Sequence, residues 1–188
     1  MKIAILSKKG GVGKTPFAFS LAKDLNLYLQ SNDNSCIEKI YPNKAKISKI
    51  VDNIDNCVYD FGGFSASGVL DIVKNCKFCL IPILPNSNSL IKTFETINEL
   101  KNINNNIILL ATNYRNDKEQ EYLVENINKY LSKYQVFYFK SSMIFSNAMM
   151  YGRSFTELYN ENPLSKNAYK QFFNEYNELL NKIESPTY

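Results

Sequence analysis

Two lysines, a threonine and two aspartates stand out as residues able to act together on a polyphosphate. Lys9, Lys14 and Thr15 fall in the run Ser7-Lys8-Lys9-Gly10-Gly11-Val12-Gly13-Lys14-Thr15. Asp60 closes the apolar run Cys57-Val58-Tyr59 and is followed by Phe61-Gly62-Gly63. Asp33 is the one carboxylate in the polar stretch Gln30-Ser31-Asn32-Asp33-Asn34-Ser35. Each residue type has a physical reason to be there. Glycines let backbone N–H groups turn inward and approach phosphate oxygens with no Cβ in the way. A lysine after them neutralises the outer phosphates, and the next hydroxyl is a ligand for Mg²⁺. A carboxylate at a strand end organises that ion through water, and a glycine three residues on, Gly63, can offer its N–H to the terminal phosphate. The phosphate-loop pattern is a Gly, four residues, then Gly-Lys-Ser/Thr. Gly13-Lys14-Thr15 fits its end; Lys8 stands where its first Gly belongs.

Such a loop works only between a strand and a helix. Residues 2–6, Lys-Ile-Ala-Ile-Leu, read as a buried strand. Residues 17–25 read as a helix with Ala18, Leu21, Ala22 and Leu25 inward and Lys23 and Asp24 on its solvent face. Pro16 is tolerated in a first helical turn but removes one N–H that could meet phosphate. A strand over 27–29 then runs into the polar loop 30–35. The segment 37–55 reads as a short strand over 38–41 stopped by Pro42, then Ile47, Ile50, Val51 and Ile54 at helical spacing. Further on, strands are expected over 57–59, 78–85, 106–113 and 136–139. Helices are expected over 67–74, 89–100, 119–131 (Leu123, Ile127, Tyr130 and Leu131 inward), from about 145, and over 166–183. Strands alternating with helices imply an α/β fold: a mostly parallel, twisted sheet with helices on both faces. No repeat or linker interrupts the 188 residues, so one domain, 1–188, is expected.

Composition narrows the chemistry. Histidine is absent, which removes imidazole bases, His-ligated metals and the usual near-neutral pH switch. A net charge of +4 is compatible with weak binding to nucleic acid or acidic lipid and demands neither. Lys8, Lys9 and Lys14 interrupt the N-terminal apolar residues, so no signal peptide is expected, and the four cysteines point to a reducing cytoplasm. Cys76-Lys77-Phe78-Cys79 runs into a strand and lacks a second ligand pair, so neither zinc nor redox chemistry is expected of it. No apolar run is long enough to span a membrane.

With the glycine loop, the Asp60 strand and the proline-marked strand in this order, the chain resembles the ParA/MinD family of deviant phosphate-loop ATPases. It is most similar to small partition proteins without an N-terminal DNA-reading domain. Lys9 to Thr15 match the family's Lys-Gly-Gly-x-Gly-Lys-Ser/Thr signature, in which the preceding position varies. The resemblance implies a three-layer phosphate-loop NTPase fold, ATP and Mg²⁺ as cofactors, and ATP hydrolysis. It implies Lys9, Gly10, Gly11, Val12, Gly13, Lys14, Thr15 and Pro16 around the phosphates, and Thr15 and Asp60 for the metal. Lys9 reaches the partner's phosphates across a nucleotide-sandwich homodimer. Residues 60–63 are similar to the family's second nucleotide motif and residues 76–90 to its third. Asn113 takes the place of an adenine-contacting Asn. The family's water-positioning Asp falls on Asp33 or, with a one-residue shift, on Asn32, so slow or lost hydrolysis stays open. Expected partners are non-specific DNA, with Lys140, Arg153, Lys166 and Lys170 as candidate contacts, and a ParB-like centromere-binding protein. An ATP-gated binding module without hydrolysis and a MinD-like positioning ATPase on membrane are the alternatives. The apolar face of the last helix, Tyr169, Phe172, Phe173, Tyr176, Leu179, Leu180 and Ile183, reads as core rather than as a membrane anchor.

Overall fold

A computed structural model describes residues 1–62 and 68–186. Seven strands form one sheet: β1 (Lys2–Leu6), β2 (Tyr28–Ser31), β3 (Ala45–Ile47), β4 (Cys57–Phe61), β5 (Phe78–Ile83), β6 (Ile107–Tyr114) and β7 (Gln135–Lys140). Their order is β3-β2-β4-β1-β5-β6-β7, and every pairing is parallel. The helices are α1 (Lys14–Asp24), α2 (Ile37–Ile40), α3 (Val69–Lys74), α4 (Ser87–Leu100), α5 (Asp117–Tyr130), α6 (Ile144–Tyr151), α7 (Phe155–Tyr159) and α8 (Pro163–Glu184). The expected α/β sandwich is therefore present.

Strand residues alternate between two cores, as period-2 geometry requires. Ile3 and Ile5 join Phe17, Phe139, Phe155, Phe172 and Tyr176 in one core, under α1 and α6–α8. Ala4 and Leu6 join Tyr59, Val73, Leu100 and Leu123 in the other, under α3–α5. Strands covered on both faces read as unbroken apolar runs, which is why their positions were legible. Pro82 is accommodated because β1 pairs with β5 only over Phe78–Leu80, so the proline lies beyond that partner.

The segment 37–55 departs from expectation. Residues 38–41 do not form a strand; Ile37–Ile40 is a single helical turn. The helical spacing from Ile47 does not make a helix either. Ile47 ends the edge strand β3, Ile50 is exposed, and the chain to β4 is irregular. The Tyr59 hydroxyl anchors it, accepting from the Ile54 N–H at 2.8 Å and donating to the Ile54 carbonyl at 2.9 Å. A hydroxyl reaching across from a strand outweighs a four-residue periodicity. Tyr130, expected inward, is exposed.

Lys23 and Asp24 do not mark a free face of α1. Lys23 Nζ donates to the Gly152 carbonyl at 2.8 Å and to Glu157 at 2.6 Å. Asp24 accepts from the Thr156 and Tyr176 hydroxyls, each at 2.9 Å. In α8, Phe172, Tyr176, Leu179 and Ile183 are buried, with Tyr169, Phe173 and Leu180 packed beside them, so this face belongs to the core. No helix among the described residues is long and apolar enough to cross a membrane.

Candidate functional site

All strands being parallel, their C-terminal ends gather at one edge of the sheet, where ligands bind in open α/β folds. The segments after β1, β2, β5 and β6 meet there, with Gly62 just past β4 close to Asp33. The first of them carries Gly11 and Gly13 at φ of 72° and 91°, the left-handed region that glycine occupies without strain. A Cβ at Gly13 would also lie 3.3 Å from the Phe145 ring, which packs against the loop. Thr112 in β6 donates its hydroxyl to the Val12 carbonyl at 3.1 Å, and Ser7 Oγ accepts the Lys9 N–H at 3.1 Å. No side chain caps α1 at Gly13, which leaves the first N–H groups of the helix for another acceptor. Thr112 and Phe145 were not foreseen; only their packing reveals them.

The two lysines at the loop's start differ. Lys8 forms ion pairs with Glu99 and, at 3.8 Å, Glu95 on α4. Lys9 has no carboxylate within ion-pair distance among the described residues and is half-buried. Lys14 is buried, 7% exposed.

Asp60, one residue before the end of β4, is fully buried. Its Oδ2 accepts from the Thr15 hydroxyl at 2.7 Å, while its Oδ1 has no hydrogen-bond partner. Burial pushes this carboxyl above the usual carboxylate range; the Thr15 hydrogen bond and the Lys14 charge oppose that, and the nearby Asp33 charge adds to it. A buried oxygen without a partner costs free energy. An orphaned carboxylate oxygen, a hydroxyl already on the same carboxylate and oxygen-only donors fit a hard divalent cation such as Mg²⁺. Gly63 lies outside the described residues.

The alternatives at the β2 loop separate in space. Asn32 Oδ1 accepts the Gly62 N–H at 2.8 Å. Asp33 lines the cleft together with Gly10 to Pro16, Asn113 and Phe145. Its Oδ2 lies 3.1 Å from where a Gly62 Cβ would be, so Gly62 leaves room for it. Ser31, which belongs to β2 and not to the loop, donates to the Asp60 carbonyl at 3.1 Å.

Asn113 sits at φ of 59°, between this cleft of about 350 Å³ and a second of about 480 Å³. The second is lined by Leu84, Pro85, Arg115 and Glu119 among others, and shares Gly11 and Asn113 with the first. Arg115 and Glu119 were not anticipated.

The four basic candidates are not drawn into one constellation. Arg153 is ion-paired with Glu161 at 2.6 Å. Lys140 ends β7, and Lys166 and Lys170 are exposed one turn apart on α8. The four cysteines are free; Cys57, Cys76 and Cys79 are buried, and desolvation holds the Cys57 and Cys76 thiols at about 12, far from the reactive thiolate.

No protein-family model matches the chain, and no curated protein matches it in sequence. Solved structures do match in shape. The cell-division protein MinD of Aquifex aeolicus superposes with a TM-score of 0.67 at 14% identity, covering 99% of this chain and 98% of that one. The chain has the fold of the ParA/MinD proteins. A variant of Cyanothece McdA in complex with ATP matches at 0.65 and 14% identity, over 100% and 98% of the two chains. A Borrelia burgdorferi B31 protein assigned to plasmid partition, bound to AMPPNP, matches at 0.60 and 13% identity over 96% and 98%. The fold places the glycine loop of this chain between its central strand and α1, with Asp60 on the neighbouring strand.

Proposed function

We propose that the chain is a cytoplasmic ATPase of the ParA/MinD type, most like the small DNA-partition members. The observation that carries this is the buried Asp60 carboxylate, hydrogen-bonded by Thr15 and with one oxygen orphaned, beside Lys14 at the end of a glycine loop. The ATP and AMPPNP complexes of the McdA and Borrelia neighbours support the choice of nucleotide.

In this reading the loop N–H groups from Gly10 to Thr15 bind phosphate oxygens, and Lys14 neutralises the outer phosphates. Thr15 and Asp60 hold Mg²⁺, the latter through water; the ion offsets the charge of the triphosphate. Asp33 orients the attacking water and accepts its proton, which an amide cannot do. Asn32 instead holds Gly62, the entry to the loop after β4. Asp33's place in the cleft favours hydrolysis over a purely ATP-gated module. Lys9, without a carboxylate partner of its own among the described residues, acts in trans on the partner's phosphates in a homodimer that sandwiches two nucleotides. That dimer coats DNA without sequence preference through residues such as Lys140, Lys166 and Lys170, and a ParB-like protein stimulates turnover. The buried apolar face of α8 disfavours the membrane-bound alternative.

The test is size-exclusion chromatography with ATP–Mg²⁺ and a DNA-binding titration, for wild type and Lys9→Ala. The expected result is an ATP-dependent dimer that binds DNA in the wild type and a monomer in the variant. Equal dimerisation of both would remove the trans role. Phosphate release that survives in Lys14→Ala would overturn the ATPase assignment.

A further inference from the structure

We propose that the outer edge of β7 is a latent interface for a second copy of this chain, and that Glu175 on α8 keeps it closed. The sheet has two open edges, β3 at one end and β7 at the other. A carboxylate blocks each. Glu38 on α2 accepts the Ile47 N–H of β3 at 2.8 Å, and Glu175 accepts the Tyr138 N–H of β7 at 2.6 Å. The two edges differ in what they offer another strand. β3 has three residues, a very short template. β7 has six, Gln-Val-Phe-Tyr-Phe-Lys, rich in strand-favouring residues and free of proline and glycine.

The occupant follows from register. In an edge strand, alternate residues turn both backbone groups away from the sheet. Tyr138 does so, as its bond to Glu175 shows, and Val136 and Lys140 share its phase. Laid antiparallel about a two-fold axis at Tyr138, two copies of β7 set Tyr138 opposite Tyr138 and Val136 opposite Lys140. Each of these pairs then exchanges two N–H···O bonds. Lysine meets valine rather than lysine, so no like charges oppose each other, and the central tyrosines form an aromatic cross-strand pair. The strand is therefore complementary to itself. Glu175 stands on the central residue of that register. It takes the N–H that a second copy needs, and in a dimer two such carboxylates would meet at the axis. Glu178 nearby adds to the negative charge at that point.

This interface makes no use of nucleotide, so the experiment is run on the full chain in EDTA without nucleotide, where an ATP–Mg²⁺-dependent dimer does not form. Its outcome is independent of the ATPase reading. The readouts are analytical ultracentrifugation over a range of concentrations and amide hydrogen exchange. Wild type is expected to be a monomer, with the Tyr138 amide protected and the Val136 and Lys140 amides exchanging fast. Glu175→Ala is expected to form a concentration-dependent dimer of twice the monomer mass, with the Val136 and Lys140 amides now protected. That variant also loses a helix-to-strand hydrogen bond, so a dimer of loosened chains has to be told apart. Val136→Pro in the Glu175→Ala background does this: it removes one outward N–H and none of the bonds to β6, and is expected to restore the monomer. Glu175→Ala that stays monomeric overturns the proposal. So does a dimer that survives Val136→Pro or leaves the Val136 and Lys140 amides unprotected, and so does a wild-type dimer in the same buffer.

Discussion

At the N-terminal end of α1, Lys14, Thr15 and the buried Asp60 leave one carboxylate oxygen without a partner, and no side chain caps the helix. At the other end of the same helix, Asp24 accepts two hydroxyls, and Lys23 reaches both a carbonyl and Glu157. Both ends hold mostly buried charge. One end closes its hydrogen bonds within the protein, while the other holds them open. In the function proposed above a bound ligand completes the open end, whereas the closed end is complete without one and contributes to stability.

The comparison can be broken from either side. The largest effect belongs to the closed half, where Phe172 packs edge-on against Phe155 at 5.0 Å between ring centroids and at a tilt against Phe139 at 5.1 Å. Phe172→Ala is expected to lose about 3–5 kcal/mol in urea denaturation, with nucleotide affinity unchanged in the fraction still folded. A loss of affinity without loss of stability would show that the two halves are not separable. Next comes Asp60→Asn, which removes a buried charge lacking one partner. The protein without nucleotide is expected to gain about 1–3 kcal/mol while Mg²⁺-dependent nucleotide binding disappears. Destabilisation instead would mean that the carboxylate is already satisfied within the fold.

Tyr176→Phe withdraws one of the two hydroxyls on Asp24 and is expected to cost about 1–2 kcal/mol. The same carboxyl sets a pH dependence. Burial raises its pKa above 3.8, so its favourable contribution is full below that value and is lost as pH rises through the folded-state pKa. The hydroxyls of Thr156 and Tyr176 oppose the shift without cancelling it. The stability of wild type relative to Asp24→Asn should therefore fall as pH rises above the ordinary carboxylate range, as read from urea midpoints. A difference that is flat with pH would show that Asp24 titrates normally. The smallest effect is expected from Lys8→Ala. Its ion pairs with Glu95 and Glu99 are partly exposed, so under about 1 kcal/mol should be lost, and less at high salt. A large effect would make Lys8 part of the open end.

Much of the open end was legible in the residues alone. Glycines, the two lysines, Thr15 and the strand-ending Asp60 are neighbours in sequence or sit at the ends of apolar runs, and short-range signals of that kind survive any tertiary arrangement. The closed end was not legible. Lys23 and Asp24 look like a solvent face until α7 and α8, more than 130 residues away in the chain, are laid against them. The edge region 37–55 failed for a related reason: a one-turn helix and a three-residue strand carry too few periods to be told apart, and distant groups such as the Tyr59 hydroxyl decide between them.

The amino-acid sequence by itself determined the layered α/β architecture and the glycine loop between β1 and α1, because buried parallel strands and glycine turns are written in consecutive residues. Only the tertiary structure decided the rest. It put Asp33 in the cleft and Asn32 on the Gly62 N–H, placed Thr112 and Phe145 against the loop, and set Glu119 beside Asn113. Two adjacent side chains of nearly equal size differ little in sequence signal; which one meets a given N–H depends on chains that return to the same edge of the sheet.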